Sequence, residues 1–147
     1  MLFKNEEDSS LELQIVTYEL PAYEGDPNSD DRNWLVMRAS WKEDGHIVKD
    51  SNSCLLTYEL KEMTAGLKVL NAGIKDTYAS MFQEPYFSLT AAADPEKNGF
   101  RFFVSFYLPN TMDGDDTAEI NAFMTHEEMS ELVKELDGLC VKFPDRK

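Results

Sequence analysis

The stretch YFSLTAAADPEKNGFRFFVSFYL, residues 86–108, decides the fold class. In a β-strand, successive side chains point to opposite faces. Phe87, Leu89, Ala91 and Ala93 therefore share one face, and Phe100, Phe102, Val104, Phe106 and Leu108 share another. The intervening DPEKNG concentrates turn-forming residues. Two alternating runs joined by a short turn predict an antiparallel hairpin at the centre of a sheet.

Working outward, Ala118 to Met124 alternates Ala118, Ile120, Ala122 and Met124 with polar residues, which adds a strand. LELQIVTYEL, residues 11–20, alternates in the same way through Leu11, Leu13 and Ile15. DDRNWLVMRASW, residues 30–41, places Leu35, Met37, Ala39 and Trp41 on one face and Trp34 on the other. A strand covered on both faces, with Trp34 mostly buried, is expected there. KEDG, residues 42–45, reads as a hairpin turn into a short strand, His46 to Lys49. PAYEGDPNSDDRN (21–33) and PNTMDGDD (109–116) read as polar, acidic loops.

Two helices complete the pattern. In LLTYELKEMTAGLKVLNAG, Thr57 is the expected N-cap, and Leu60, Met63, Leu67 and Leu70 share a face that Gly73 terminates. Near the end of the chain, Thr125 and Glu128 have capping-box spacing. Met129, Leu132, Val133, Leu136 and Cys140 continue a helical stripe behind them. No internal repeat is visible in the residues. The expectation is one α+β domain over residues 1–147, mainly an antiparallel β-sheet of about six strands with two α-helices.

Composition narrows the function classes. The 147 residues include 28 acidic and 14 basic ones, a formal charge of −14. Such a surface repels phosphates, which disfavours direct nucleic-acid binding, and it attracts and steers a basic protein partner. Net charge also serves solubility. No apolar run is long enough to span a bilayer. The opening MLFKNEEDSS turns acidic at once, without a signal-peptide core. Cys54 and Cys140 fit two buried free thiols in a reducing cytoplasm.

Catalytic and metal-binding patterns are weak. His46 follows a turn and His126 opens a helix, and neither has a nucleophile or acid–base partner in sequence. No GxSxG elbow, phosphate-binding glycine loop or HExxH pattern occurs. The loops starting at Asp26 and Asp113 resemble the start of a calcium loop. They place Asp31 and Ala118 where glycine is required, and Met37 and Met124 where glutamate is required. Adjacent carboxylates such as Asp30/Asp31 and Asp115/Asp116 lack the geometry of a hydrolytic pair. No enzyme activity, cofactor or metal is expected.

Three segments resemble one family. Asp31, Asn33, Trp34 and Leu35 match the D-x-N-W-L signature of WapI-type immunity proteins. Cys54, Leu55, Leu56, Thr57, Glu59 and Leu60 are similar to that family's C-L-L-T-x-E-L segment, and FPDR, residues 143–146, to its tail. Gly66 departs from the pattern, because family members often carry a tryptophan just before the leucine matched by Leu67. The resemblance implies a cytoplasmic antitoxin that binds and neutralises the toxin domain of a wall-associated bacterial protein. In the family's type member that toxin is a ribonuclease acting on tRNA; immunity proteins diverge with their toxins, so the toxin class does not transfer with the fold. An acidic inhibitor suits a basic nuclease, since carboxylates can occupy surface that otherwise binds phosphate.

Asp26, Asp30, Asp31, Asp113, Asp115 and Asp116 are the expected partner-binding residues, being acidic and on loops. A small ligand-binding regulator or enzyme, with a pocket between sheet and helices, is the alternative.

Overall fold

The computed structural model describes residues 1–111 and 116–147. Strands β1 (Leu2–Lys4), β2 (Ser10–Tyr18), β3 (Trp34–Glu43) and β4 (His46–Leu56) pair consecutively and antiparallel, followed by helix α1 (Thr57–Asn71). The same plan then repeats. Strands β5 (Thr77–Ala79), β6 (Phe87–Asp94), β7 (Gly99–Leu108) and β8 (Asp116–Thr125) form a second antiparallel sheet, followed by α2 (His126–Lys142). The class is α+β as expected, with eight strands in two sheets among the described residues instead of about six in one. Three-residue strands such as β1 and β5 carry too little alternation to be seen in sequence, and their pairing partners define them. The architecture is thus a ββββα unit used twice, a repeat with no counterpart in the sequence.

The apolar faces read from alternation are the faces that meet. Phe87, Phe100, Phe102, Val104, Phe106 and Leu108 of β6 and β7 are at most 2% exposed. They share one continuous core with Leu11, Leu13, Leu35, Met37 and Ala39 of the first sheet. The rings of Phe3 and Phe102, one from each sheet, lie 5.7 Å apart. Burying each large side chain contributes about 1.5–3 kcal/mol, so a register slip that turned these faces outward would be prohibitive. β3 is buried on one face only. Leu35, Met37 and Ala39 are inside, while Trp34, Val36 and Ser40 are half-buried and Arg38 is exposed. Trp41 packs at the rim of the core.

β4 runs far beyond the expected Lys49, to Leu56. An extra residue at Cys54 breaks its register with β3, and this bulge buries Cys54, Leu55 and Leu56 in succession. The apolar pair therefore belongs to strand, and α1 starts at Thr57 with Leu56 as its N-cap, not Thr57. Leu56 has no side-chain acceptor. Instead its backbone N–H donates to Glu59 Oε1 at 3.0 Å, half of a capping box. α2 has the full box: Thr125 Oγ1 accepts from Glu128 N at 3.1 Å, and Glu128 Oε1 accepts from Thr125 N at 3.0 Å.

The helices run antiparallel against each other. Lys68 Nζ lies 2.6 Å from Asp137 Oδ1, and Asn71 Nδ2 donates to Ser130 Oγ at 3.3 Å. Gly66, the departure from the family pattern, leaves room on α1 for Tyr78 of β5. A Cβ at that position would lie 2.4 Å from the Tyr78 ring. The aromatic bulk at this point comes from a neighbouring strand.

Candidate functional site: an acidic cleft along strand β8

Among the described residues β8 is an edge strand, paired only with β7. Three adjoining grooves run along it. The first, about 550 Å³, lies between β8 residues Asp116, Thr117 and Glu119 and the β3–β4 hairpin, represented by Trp41, Glu43, Asp44, His46 and Val48. The hairpin tip is an Asp44–Gly45 turn with φ of 51° and 79°. Both values are left-handed, as the tight two-residue hairpin turn requires, and they project Glu43 and Asp44 toward solvent. A second groove, of about 1040 Å³, continues from Glu119 to Phe123 below the turn after β1 and over the outer face of β5–β7. The third, of about 580 Å³, lies between β1 and α2, with Ala122, Phe123 and Met124 on its floor.

Charge follows the cleft. The first groove carries Glu43, Asp44, Asp116 and Glu119 and, among the described residues, no lysine or arginine. The third carries Glu127, Glu128, Glu131 and Glu135 against Lys4. Two of these four glutamates are already committed: Glu128 to the helix cap, and Glu135 to the N-terminal amine at 3.0 Å. Glu127 and Glu131 remain exposed. The middle groove is mixed, with Arg101 tied to Asp94 at 3.4 Å and Phe103 and Phe123 each 38% exposed on its floor.

The residues expected from sequence are divided by the structure. Asp116 opens β8 and lines the cleft. Asp113 and Asp115 lie outside the described residues. Asp26 and Asp31 are turned to their own loop. Asp31 Oδ2 accepts the Asp26 N–H at 3.0 Å, and Asp26 Oδ1 accepts the Asn28 N–H at 2.9 Å. Asp30 is half-buried and accepts from the Tyr58 hydroxyl at 3.4 Å. The loop acids are thus apart from the β8 cleft and partly occupied with loop geometry. Glu43, Asp44, Glu119, Glu127 and Glu131 were not singled out from sequence, because each reads there as an ordinary polar position of a strand, turn or helix.

His46 shares the first groove with four carboxylates, and His126 is elsewhere, exposed at the start of α2 with its ring edge-on to Phe100 at 4.9 Å. The two histidines do not meet in one groove. Cys54 is fully buried, and burial pushes its thiol up to about 12; Cys140 is half-buried beside the Thr64 hydroxyl.

The signature residues form a clamp away from the cleft. Asn33 Nδ2 donates to the Arg146 carbonyl at 3.0 Å and Asn33 Oδ1 accepts the Arg146 N–H at 2.7 Å. The Arg146 guanidinium donates to the carbonyls of Arg32 at 2.9 Å and Leu20 at 2.8 Å, and lies 3.7 Å over the Tyr18 ring. Lys61 pairs with Asp145 at 2.8 Å, which holds the Asp145 carboxyl below the usual aspartate range. Glu59, 3% exposed, joins the Leu56 N–H to the Gln83 N–H at 2.6 Å. Burial raises its pKa despite those two bonds. D-x-N, the C-terminal tail and the C-L-L-T-x-E-L glutamate are therefore bound to backbone.

A family model described as the immunity protein WapI-like family matches residues 1–144. No curated protein sequence matches. Among solved structures, the crystal structure of WHY3 from Arabidopsis thaliana is similar with a TM-score of 0.56 and 13% identity, over 97% of this chain and 86% of that one. The plant transcriptional regulator PBF-2 is similar with a TM-score of 0.53 and 16% identity, over 96% and 79%. MRP1/MRP2 of Trypanosoma bruciei gives 0.50 and 14%, over 97% and 82%. At such identities the likeness is one of fold.

Proposed function

Because the chain belongs to the immunity protein WapI-like family, we propose that it is a non-catalytic inhibitor that binds and neutralises a cognate bacterial toxin domain in the cytoplasm. The observation that carries this reading is the family match over residues 1–144. The surface supports it. A chain of formal charge −14 concentrates carboxylates along one cleft and steers a basic partner toward it. A basic toxin domain that engages phosphate, such as a tRNA-cleaving nuclease, has the complementary chemistry. Asp116 is the candidate that the cleft retains; Asp26, Asp30 and Asp31 lie apart from it, and Asp113 and Asp115 stay candidates on their acidity alone.

Titration calorimetry against the toxin domain encoded immediately upstream tests the proposal. Saturable binding with loss of toxin activity is expected; no binding at micromolar concentrations would sink it. Association should also slow as salt is added, because exposed charges are screened beyond about 10 Å at 0.1 M ionic strength. A second reading, a small ligand-binding regulator or enzyme, rests on His46 beside Glu43, Asp44, Asp116 and Glu119. Full protection against the toxin by a His46→Ala variant would remove that histidine from the function.

A further inference from the structure

The direction of every backbone group on β8 follows from two hydrogen bonds on the far side of the sheet. Tyr107 N donates to Tyr86 O at 2.7 Å, so Tyr107 turns its peptide groups toward β6. Alternation then turns the even-numbered residues of β7 toward β8. The register pairs Phe102 with Ala122, Val104 with Ile120 and Phe106 with Ala118, so Ala118, Ile120 and Ala122 face β7. Ala93 N donating to Asp76 O at 2.8 Å fixes the same phase across β5 and β6. The backbone N–H and C=O of Thr117, Glu119 and Asn121 consequently point out of the sheet edge, into the cleft. Among the described residues nothing hydrogen-bonds to them.

An unpaired edge of this length is a template for another strand, and proteins ordinarily blunt such edges. Along Thr117 and Glu119 the edge faces a groove with Trp41, Val48 and Leu108 among its walls and four carboxylates around it. At Asn121 it continues into the second groove, where the end of β1 lies close beside β8. We infer that β8 receives an extended, lysine- or arginine-bearing segment of the toxin domain as an added strand, paired to Thr117, Glu119 and Asn121. This rests on the toxin-binding reading above. Main-chain hydrogen bonds supply the pairing, and side chains on alternate positions of the guest reach the walls of the cleft. The charge selects the occupant. Glu43, Asp44, Asp116 and Glu119 complement a basic guest and repel a second copy of this acidic chain. The apolar stem of a guest lysine or arginine can lie along Trp41 while its head meets these acids.

Amide hydrogen exchange on the complex tests the inference residue by residue. In the free protein, the amides of Thr117, Glu119 and Asn121 should exchange rapidly and those of Ala118, Ile120 and Ala122 slowly. Binding of the upstream-encoded toxin domain should protect the first set at least tenfold, leaving every residue from 117 to 122 slow. A complex that forms by calorimetry yet leaves the three odd-numbered amides fast would overturn strand addition and leave the inhibitor reading standing. Failure to form any complex would overturn both. Protection already present in the free protein, with a dimer in solution, would assign the edge to a second copy and overturn the proposed guest. As an independent check, Asn121→Pro removes an outward N–H without touching the β7 ladder, a position where an edge strand accepts proline. It should weaken toxin binding at least tenfold, against less than threefold for Asn121→Ala. A folded Asn121→Pro variant with full affinity would refute the pairing.

Discussion

Asn33→Ala tests whether the family signature is scaffold or contact. The side chain makes two hydrogen bonds to the backbone of one residue, at 3.0 and 2.7 Å to Arg146, in a partly buried setting. A typical intramolecular hydrogen bond contributes about 0.5–1.5 kcal/mol net. Truncation leaves the Arg146 backbone free to find water, so the loss should fall toward the low end of the sum, about 1–2 kcal/mol. The loss does not stop at the pair. Arg146 also fastens Leu20 and Arg32 through its guanidinium, so a frayed tail loosens both ends of the 21–33 loop. Urea unfolding should show a midpoint lowered by about 0.5–1 M at unchanged slope, taking a slope of about 2 kcal/mol/M for a chain of this size. Toxin affinity of the folded variant should change less than threefold, since none of these bonds faces the β8 cleft. A variant with wild-type stability that has lost toxin binding would refute the reasoning and make the signature a contact surface.

Gly99→Ala should destabilise the fold by about 1–3 kcal/mol, because the new Cβ would lie 2.3 Å from the Met124 carbonyl and 2.4 Å from the Phe123 ring; thermal unfolding reads it. The Asp145 carboxyl, held down by Lys61, should titrate below the ordinary aspartate value of about 3.9, and Lys61→Met should return it upward in an NMR titration. The sign for stability follows: a lowered pKa contributes above the unfolded value and is lost as pH falls through the folded one, so acid should free the tail. In native protein a thiol reagent should modify Cys140 and leave Cys54 untouched, with both reacting in denaturant. Fast native labelling of Cys54 would contradict its burial.

How far the fold was legible follows from what alternation encodes. A period of two states which residues share a face, and it identified the buried sets of β2, β6, β7 and β8 and the inner face of β3. The outer face of β3, expected to be covered with Trp34 mostly buried, is only half-buried around Arg38. It does not state which sheet a strand joins. Phe3 and Phe102 meet across sheets, and no local pattern relates residues so far apart. The same limit explains β4. Cys54, Leu55 and Leu56 break alternation because the bulge at Cys54 does, so the strand reads as ending at Lys49. Thr57 is a good cap by composition. Leu56 takes the role because its N–H is answered by Glu59, a carboxylate that also secures Gln83.

The site was less legible for a related reason. Acidity drew attention to loops, where exposure can be assumed from composition, yet Asp26 and Asp31 use their carboxylates on their own backbone. The acids that share a cleft come from the β3–β4 hairpin and β8, which are far apart in sequence. What the cleft offers beyond charge is backbone: outward N–H and C=O groups at Thr117, Glu119 and Asn121, the same for any residue types. No sequence signal can mark them, since their direction depends on the register of three strands and on β8 being last in its sheet. A family could therefore keep such an edge while its side chains vary, letting the walls of the cleft choose the toxin. On that argument Glu43, Asp44 and Glu119 are where specificity between cognate pairs should be altered by exchange, and Asn33 and Arg146 are where exchange should alter stability alone.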